Sequence, residues 1–181
     1  MFVFTLANGI LLVSISRASL EIMSKQEREG RLRTEPVIID GVEIYKLPQS
    51  RVLPNSGYYW IKKIRDWFWQ KFSFDEEKII QITLILADKK VSEARNLMEK
   101  EKYSLALDSY HKAIEKLTEA KNLINKFENK PIYRNEINNQ IKKMAEVYRK
   151  MIEEVGKNDK IDEQKYLRLL QEINEFEKKQ N

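Results

Sequence analysis

From Ser56 almost to the C-terminus the apolar residues recur at intervals of three and four, and this period decides what the chain can fold into. Strands need alternation, whereas a three-and-four spacing lines up one side of a 3.6-residue helix. Trp60, Ile61, Ile64, Trp67, Phe68 and Phe72 share one broad arc of a first helix, over 57–72, with Lys62, Lys63, Asp66 and Gln70 opposite. Ser73 and Glu76 then have the spacing of a capping box, in which hydroxyl and carboxylate satisfy each other's free backbone donors. The helix this starts, over about 75–100, contains "IIQITLILA", apolar nearly all round, and is expected to be the most buried element. A break near 99–102 leads to a third helix, over about 103–128, with a stripe of Ala106, Leu107, Tyr110, Ala113, Ile114, Leu117, Ala120 and Ile124. Pro131 suits the first turn of a fourth, where its missing N–H costs nothing. The fourth stripe is Ile137, Ile141, Met144, Tyr148, Met151 or Ile152, and Val155. Gly156 fits a C′ position, and a fifth helix over about 162–179 turns Tyr166, Leu170, Ile173 and Phe176 inward.

About five amphipathic helices with short connections imply an all-α fold of antiparallel hairpins. Residues 53–128 read as the main helical domain; 129–181, with thinner apolar stripes, reads as a C-terminal helical hairpin extension. Upstream, 19–52 is a linker and extended arm. Within it Val37-Ile38-Ile39 and Val42-Glu43-Ile44-Tyr45 flank Asp40-Gly41, a turn that favours a short β-ribbon laid on the helices.

"MFVFTLANGILLVSIS" carries no charge over sixteen residues, short for a spanning helix and about right for a secretory signal. Ser16-Arg17-Ala18 offers small residues for a cut after Ala18. No basic residue precedes the run, whereas Arg17, Lys25, Arg28, Arg31 and Arg33 follow it. An uncleaved anchor with that bias would keep the rest of the chain in the cytoplasm. A buried N-terminal helix is the other reading. The expectation is a signal peptide or membrane anchor at 1–18, with the remainder extracytoplasmic or membrane-associated.

Chemistry is narrowed by what the composition lacks. Without cysteine there are no disulfides, thiolate nucleophiles or Cys-based zinc sites. His111, the only histidine, has no metal-spaced companion and reads as a surface residue. Glu76-Glu77 and Glu153-Glu154 are neighbours in sequence, so on a helix they point apart and make poor acid–base pairs. Five scattered glycines form no phosphate loop. Positive and negative residues, 33 and 28, are interspersed, which suits solvated helix faces better than the one-sided basic patch of a nucleic-acid binder. The chain is therefore expected to be non-enzymatic, with no catalytic residue, cofactor or metal.

"LPNSGYYWIKK" at 53–63 resembles the opening signature Leu-Pro-x-Ser-Pro-x-Tyr-x-Leu-Lys-Arg of a bacterial family of uncharacterised, exported helical domains. Leu53, Pro54, Ser56, Tyr59 and Lys62 match, while Gly57 and Trp60 stand where prolines are frequent in the family. "IRDWFWQKFSFDEEK" and "LADKKVSEARNLMEKEKYSLALDSYHKAIEKLTEA" are similar to its next helix and long hairpin, so the resemblance covers about 45–127. It implies a helical extracytoplasmic domain and brings no catalytic residues. "EKEKYSLALDSYHKAIEKL" is also similar to half of a tetratricopeptide unit, but one unit makes no repeat array.

The 57–72 helix admits three readings: core, a membrane-surface helix whose lysines meet anionic lipid, or a base-stacking surface. The core reading is the expectation adopted, with Trp60, Ile64, Trp67 and Phe68 packed on a neighbour. Trp69, at the edge of the arc, and Lys62, Lys63 and Lys71 are then the residues left to face a partner or a membrane. The function expected is protein–protein contact with an unknown partner at the cell envelope. The alternative is a peripheral membrane module built on the same helix.

Overall fold

A computed structural model describes residues 34–49, 53, 54, 56, 57, 59, 60, 63, 64, 66, 67, 76–125 and 131–179. The apolar N-terminus, Ser73 of the capping box, and Lys62, Phe68, Trp69 and Lys71 lie outside them.

β1 (Thr34–Ile39) and β2 (Val42–Pro48) form a two-stranded antiparallel hairpin, longer than the sequence pattern suggests. Asp40 and Gly41 both have positive φ, 52° and 78°, the geometry that matches a two-residue turn to the natural twist of its strands. The register slips by one residue between the pairs Val37↔Tyr45 and Ile38↔Glu43. Val37 and Leu47 enter the core, and Arg95 Nη1 donates to the Pro36 carbonyl at 2.9 Å.

Four helices follow: α1 (Glu76–Glu99), α2 (Tyr103–Asn125), α3 (Pro131–Val155) and α4 (Glu163–Lys178). α1 and α2 make the tightest pair. Ala87 and Ala94 on α1 and Ala106, Ala113 and Ala120 on α2 are all fully buried, and such small side chains let two backbones approach closely. Glu101, at φ 55°, ends α1: the Lys102 N–H reaches Leu97 O at 2.9 Å and the Glu101 N–H reaches Met98 O at 2.9 Å. That is the bonding of a left-handed helix terminator, achieved here without glycine. The α2 stripe read from the sequence is buried at every position, and so is that of α3. On α4 the buried residues are Leu169, Ile173 and Phe176, with Tyr166 and Leu170 partly covered. Asp162 caps α4 by accepting from the Lys165 N–H at 3.1 Å. One continuous apolar cluster runs through the hairpin and all four helices. Each fully buried Leu or Ile in it contributes about 1.5–3 kcal/mol.

A carboxyl group also ties the ribbon to the helices. Asp88 on α1 accepts from Tyr45 of β2 at 3.0 Å and from Tyr148 of α3 at 2.8 Å.

Two expectations need correction. Four helices, not about five, are complete among the described residues. Of the expected Trp-rich helix, Tyr59, Trp60, Lys63, Ile64, Asp66 and Trp67 are helical. The core reading of that segment also fails, since Trp60, Ile64 and Trp67 are 61%, 47% and 55% exposed. The cause is Tyr59, which takes the inward position and turns the indole side to solvent.

Gly156 does follow α3, but without the left-handed conformation expected of a C′ glycine. Its need for glycine is one of approach: a Cβ there would lie 2.3 Å from Tyr166 Cζ. Gly156→Ala is therefore expected to lower stability by about 1–3 kcal/mol, the range for overpacking. Tyr166→Ala in the same chain should return part of that loss. Urea melts of both variants check it.

Candidate binding surface and its buried support

The segment that carries the indoles is seated by two side chains. Leu53 is buried against Leu97 and Ala106, and the chain turns after it through Ser56 N to Leu53 O at 2.9 Å and Tyr59 N to Ser56 O at 3.0 Å. Tyr59 then points inward, and its hydroxyl donates to Glu93 Oε1 at 3.0 Å. Glu93 is fully buried, so its carboxylate needs donors from the protein. Lys90 Nζ supplies one to each carboxylate oxygen at 3.1 Å and also bonds the Tyr59 hydroxyl. Ser109 of α2 lies within 3.4 Å of Glu93 Oε1 and donates to Leu105 O at 3.0 Å. Burial, and then the Glu93 charge, push the Tyr59 hydroxyl well above its ordinary pKa, so it remains a donor.

With Tyr59 inward, the residues one, five and eight positions on lie about 80–140° around the helix from it, to one side. Trp60, Ile64 and Trp67 fall within about 60° of arc at 3.6 residues per turn. They form an apolar face edged by the exposed Lys63, whose ammonium sits 5.4 Å from the centre of the Tyr59 ring. Beside this face opens a cleft of about 240 Å³. Tyr59, Lys63, Asp66 and Trp67 form one wall, Leu86 and Lys90 of α1 and Lys112 and Lys116 of α2 the rest. Four lysines from three stretches of chain thus line one space together with one carboxylate, Asp66. Lys116 also pairs with Glu119 at 2.5 Å.

Of the residues singled out from sequence as partner-facing, Lys63 lies on this surface, while Trp69, Lys62 and Lys71 fall outside the described residues. His111 sits half exposed on α2, its Nδ1 2.7 Å from Glu172 Oε2 of α4, where it joins two helices. Glu153 and Glu154 bind different basic residues, Arg149 at 2.6 Å and Lys157 at 2.5 Å. Among the described residues no three His, Asp or Glu side chains gather as a metal site, and no helix is long and apolar enough to cross a membrane.

Sequence reasoning missed Glu93, Lys90, Lys112 and Lys116. A signal existed for the first two. Leu86, Lys90, Glu93 and Leu97 follow one another at helical spacing, which places a charged pair in line with core leucines.

No curated protein and no solved structure matches the chain. The family described as "Domain of unknown function (DUF5667)" matches residues 51–175, from the approach to Tyr59 through most of α4. That match covers more than half of the sequence, and the chain belongs to this family of helical domains.

Proposed function

We propose that the domain works at a membrane surface, as a non-enzymatic, envelope-associated module whose 59–67 segment lies against lipid headgroups. The observation that carries this reading is the exposed face of Trp60, Ile64 and Trp67 with Lys63 at its edge. Indoles favour the headgroup boundary, where the ring is apolar and its N–H stays wet. Basic residues at the same edge gain about 1 kcal/mol each from an anionic surface. The uncharged run at 1–16 supports the same placement, because export or anchoring would bring the domain to a membrane.

A second reading has its own support. Side chains one helical face apart, four and then three residues along, also suit insertion into a groove of a partner protein. Vesicles separate the two. Tryptophan emission should shift to the blue on vesicles containing phosphatidylglycerol, with the shift weakening as salt is added. Trp60→Ser with Trp67→Ser should cut binding at least about tenfold, since about 1.5–3 kcal/mol goes with each large apolar side chain. Emission unchanged by anionic vesicles would reject the membrane reading and leave the protein groove. Cell fractionation of a C-terminally tagged chain tests the location, which a wholly cytoplasmic, uncleaved product would rule out.

A further inference from the structure

We infer that the lysine cleft beside the indole face is an anion site that takes the phosphate of a phospholipid headgroup. This rests on the membrane reading above and adds a ligand class to it. Lys63, Lys90, Lys112 and Lys116 approach the cleft from three stretches of chain, over an apolar floor at Leu86. Gathering like charges beside a low-dielectric wall is unfavourable until an anion arrives, and the same walls then strengthen its attraction. Two of the four are already engaged, Lys90 with Glu93 and Lys116 with Glu119. The other two are not neutralised in this way. Among the described residues Lys112 has no acidic partner, and the contact of Lys63 is with the Tyr59 ring.

The chemistry of the lining favours a phosphate. Ammonium groups on flexible stems act as point charges that reach a tetrahedral anion from several sides. The described lining holds four lysines against one carboxylate, Asp66. Placement selects the lipid as the source. Trp67 belongs both to the cleft wall and to the exposed face, so a phosphate in the cleft lies one side chain away from where Trp60 and Ile64 would enter the bilayer.

The test uses the full chain, so the apolar N-terminus is common to every arm, and reads tryptophan emission against lipid concentration. Vesicles are phosphatidylcholine alone or with phosphatidylglycerol. The variants are Lys63→Gln with Lys112→Gln, and a control, Lys143→Gln with Lys178→Gln, which removes equal charge from exposed positions on α3 and α4. The cleft pair should lose about thirtyfold in affinity for the anionic vesicles, the factor that goes with two lysine contacts. The control pair should lose less than about threefold, and neither should alter the weak response to phosphatidylcholine. Equal losses in the two pairs would overturn the site while leaving membrane binding intact. No emission change on any vesicle would remove the membrane reading itself. Saturable response to soluble glycerol phosphate without vesicle binding would replace the lipid with a free phosphate ester.

Discussion

Asp88→Asn should abolish a loss of stability that the native chain suffers as the pH rises from about 4 to about 7. Burial pushes the Asp88 carboxyl up from its ordinary 3.8 to about 7, against the hydrogen bonds from Tyr148 and Tyr45, which act to lower it. Between those two values the unfolded chain has released the proton and the folded chain still holds it. The folded state therefore binds more protons, and unfolding becomes easier with each step up in pH. Asp88 contributes its full stability below about 4 and has lost it above about 7. The span corresponds to on the order of 4 kcal/mol. Asparagine keeps an acceptor for one tyrosine and a donor for the other, without a titration. Urea melts of the native and Asp88→Asn chains at pH 4, 5.5 and 8 give the difference directly. Taking the difference also cancels exposed carboxylates such as Glu146, whose lowered pKa acts in the opposite direction. A native-minus-variant stability that is flat with pH would mean that Asp88 ionises normally. Asp88→Ala serves as a contrast. It strands the fully buried Tyr148 hydroxyl and should cost about 1–3 kcal/mol even at pH 5.

The helices were legible because their signals are local and redundant. On α2 the eight expected inward residues are all buried, since a stripe that narrow leaves one way to pack. Pro131 opens α3, and Asp40-Gly41 turns the hairpin, because each residue's own backbone preference suffices. The 57–72 segment failed for a different reason. Its apolar arc is too wide for period alone to say which flank faces in, and the deciding partner, Glu93, lies thirty-four positions away from Tyr59. The lysine cleft was hidden in the same way. Lys63, Lys90, Lys112 and Lys116 each look like members of a solvated face, and only the packing of the 59–67 segment beside the α1–α2 pair brings them to one place. Gly156 reads as a helix stop, but the Tyr166 ring that crowds it arrives from α4.

Glu93→Gln is expected to destabilise the fold by about 3 kcal/mol, the lower end of the range for breaking a buried ion pair. The substitution preserves shape, so cavity formation contributes nothing. What changes is that the Lys90 ammonium, 18% exposed at its side chain, loses the charge that holds both its bonds at 3.1 Å. That partial exposure lets water relieve some of the loss, which sets the lower figure. Lys90→Met together with Glu93→Leu should restore most of the stability, because apolar side chains of similar volume avoid desolvating two ions. The pair is then there for position more than for stability: its carboxylate holds the Tyr59 hydroxyl, and Tyr59 fixes which side of the segment faces out. The apolar double variant should accordingly keep most of the native stability yet respond less to anionic vesicles, with Trp60 and Trp67 no longer held outward and one cleft lysine removed. Urea melts read the first effect and tryptophan emission the second. Native-like stability in Glu93→Gln would show that the ion pair carries no net load in the folded chain. A double variant that folds and binds like the native chain would show that the indole face is oriented by other contacts.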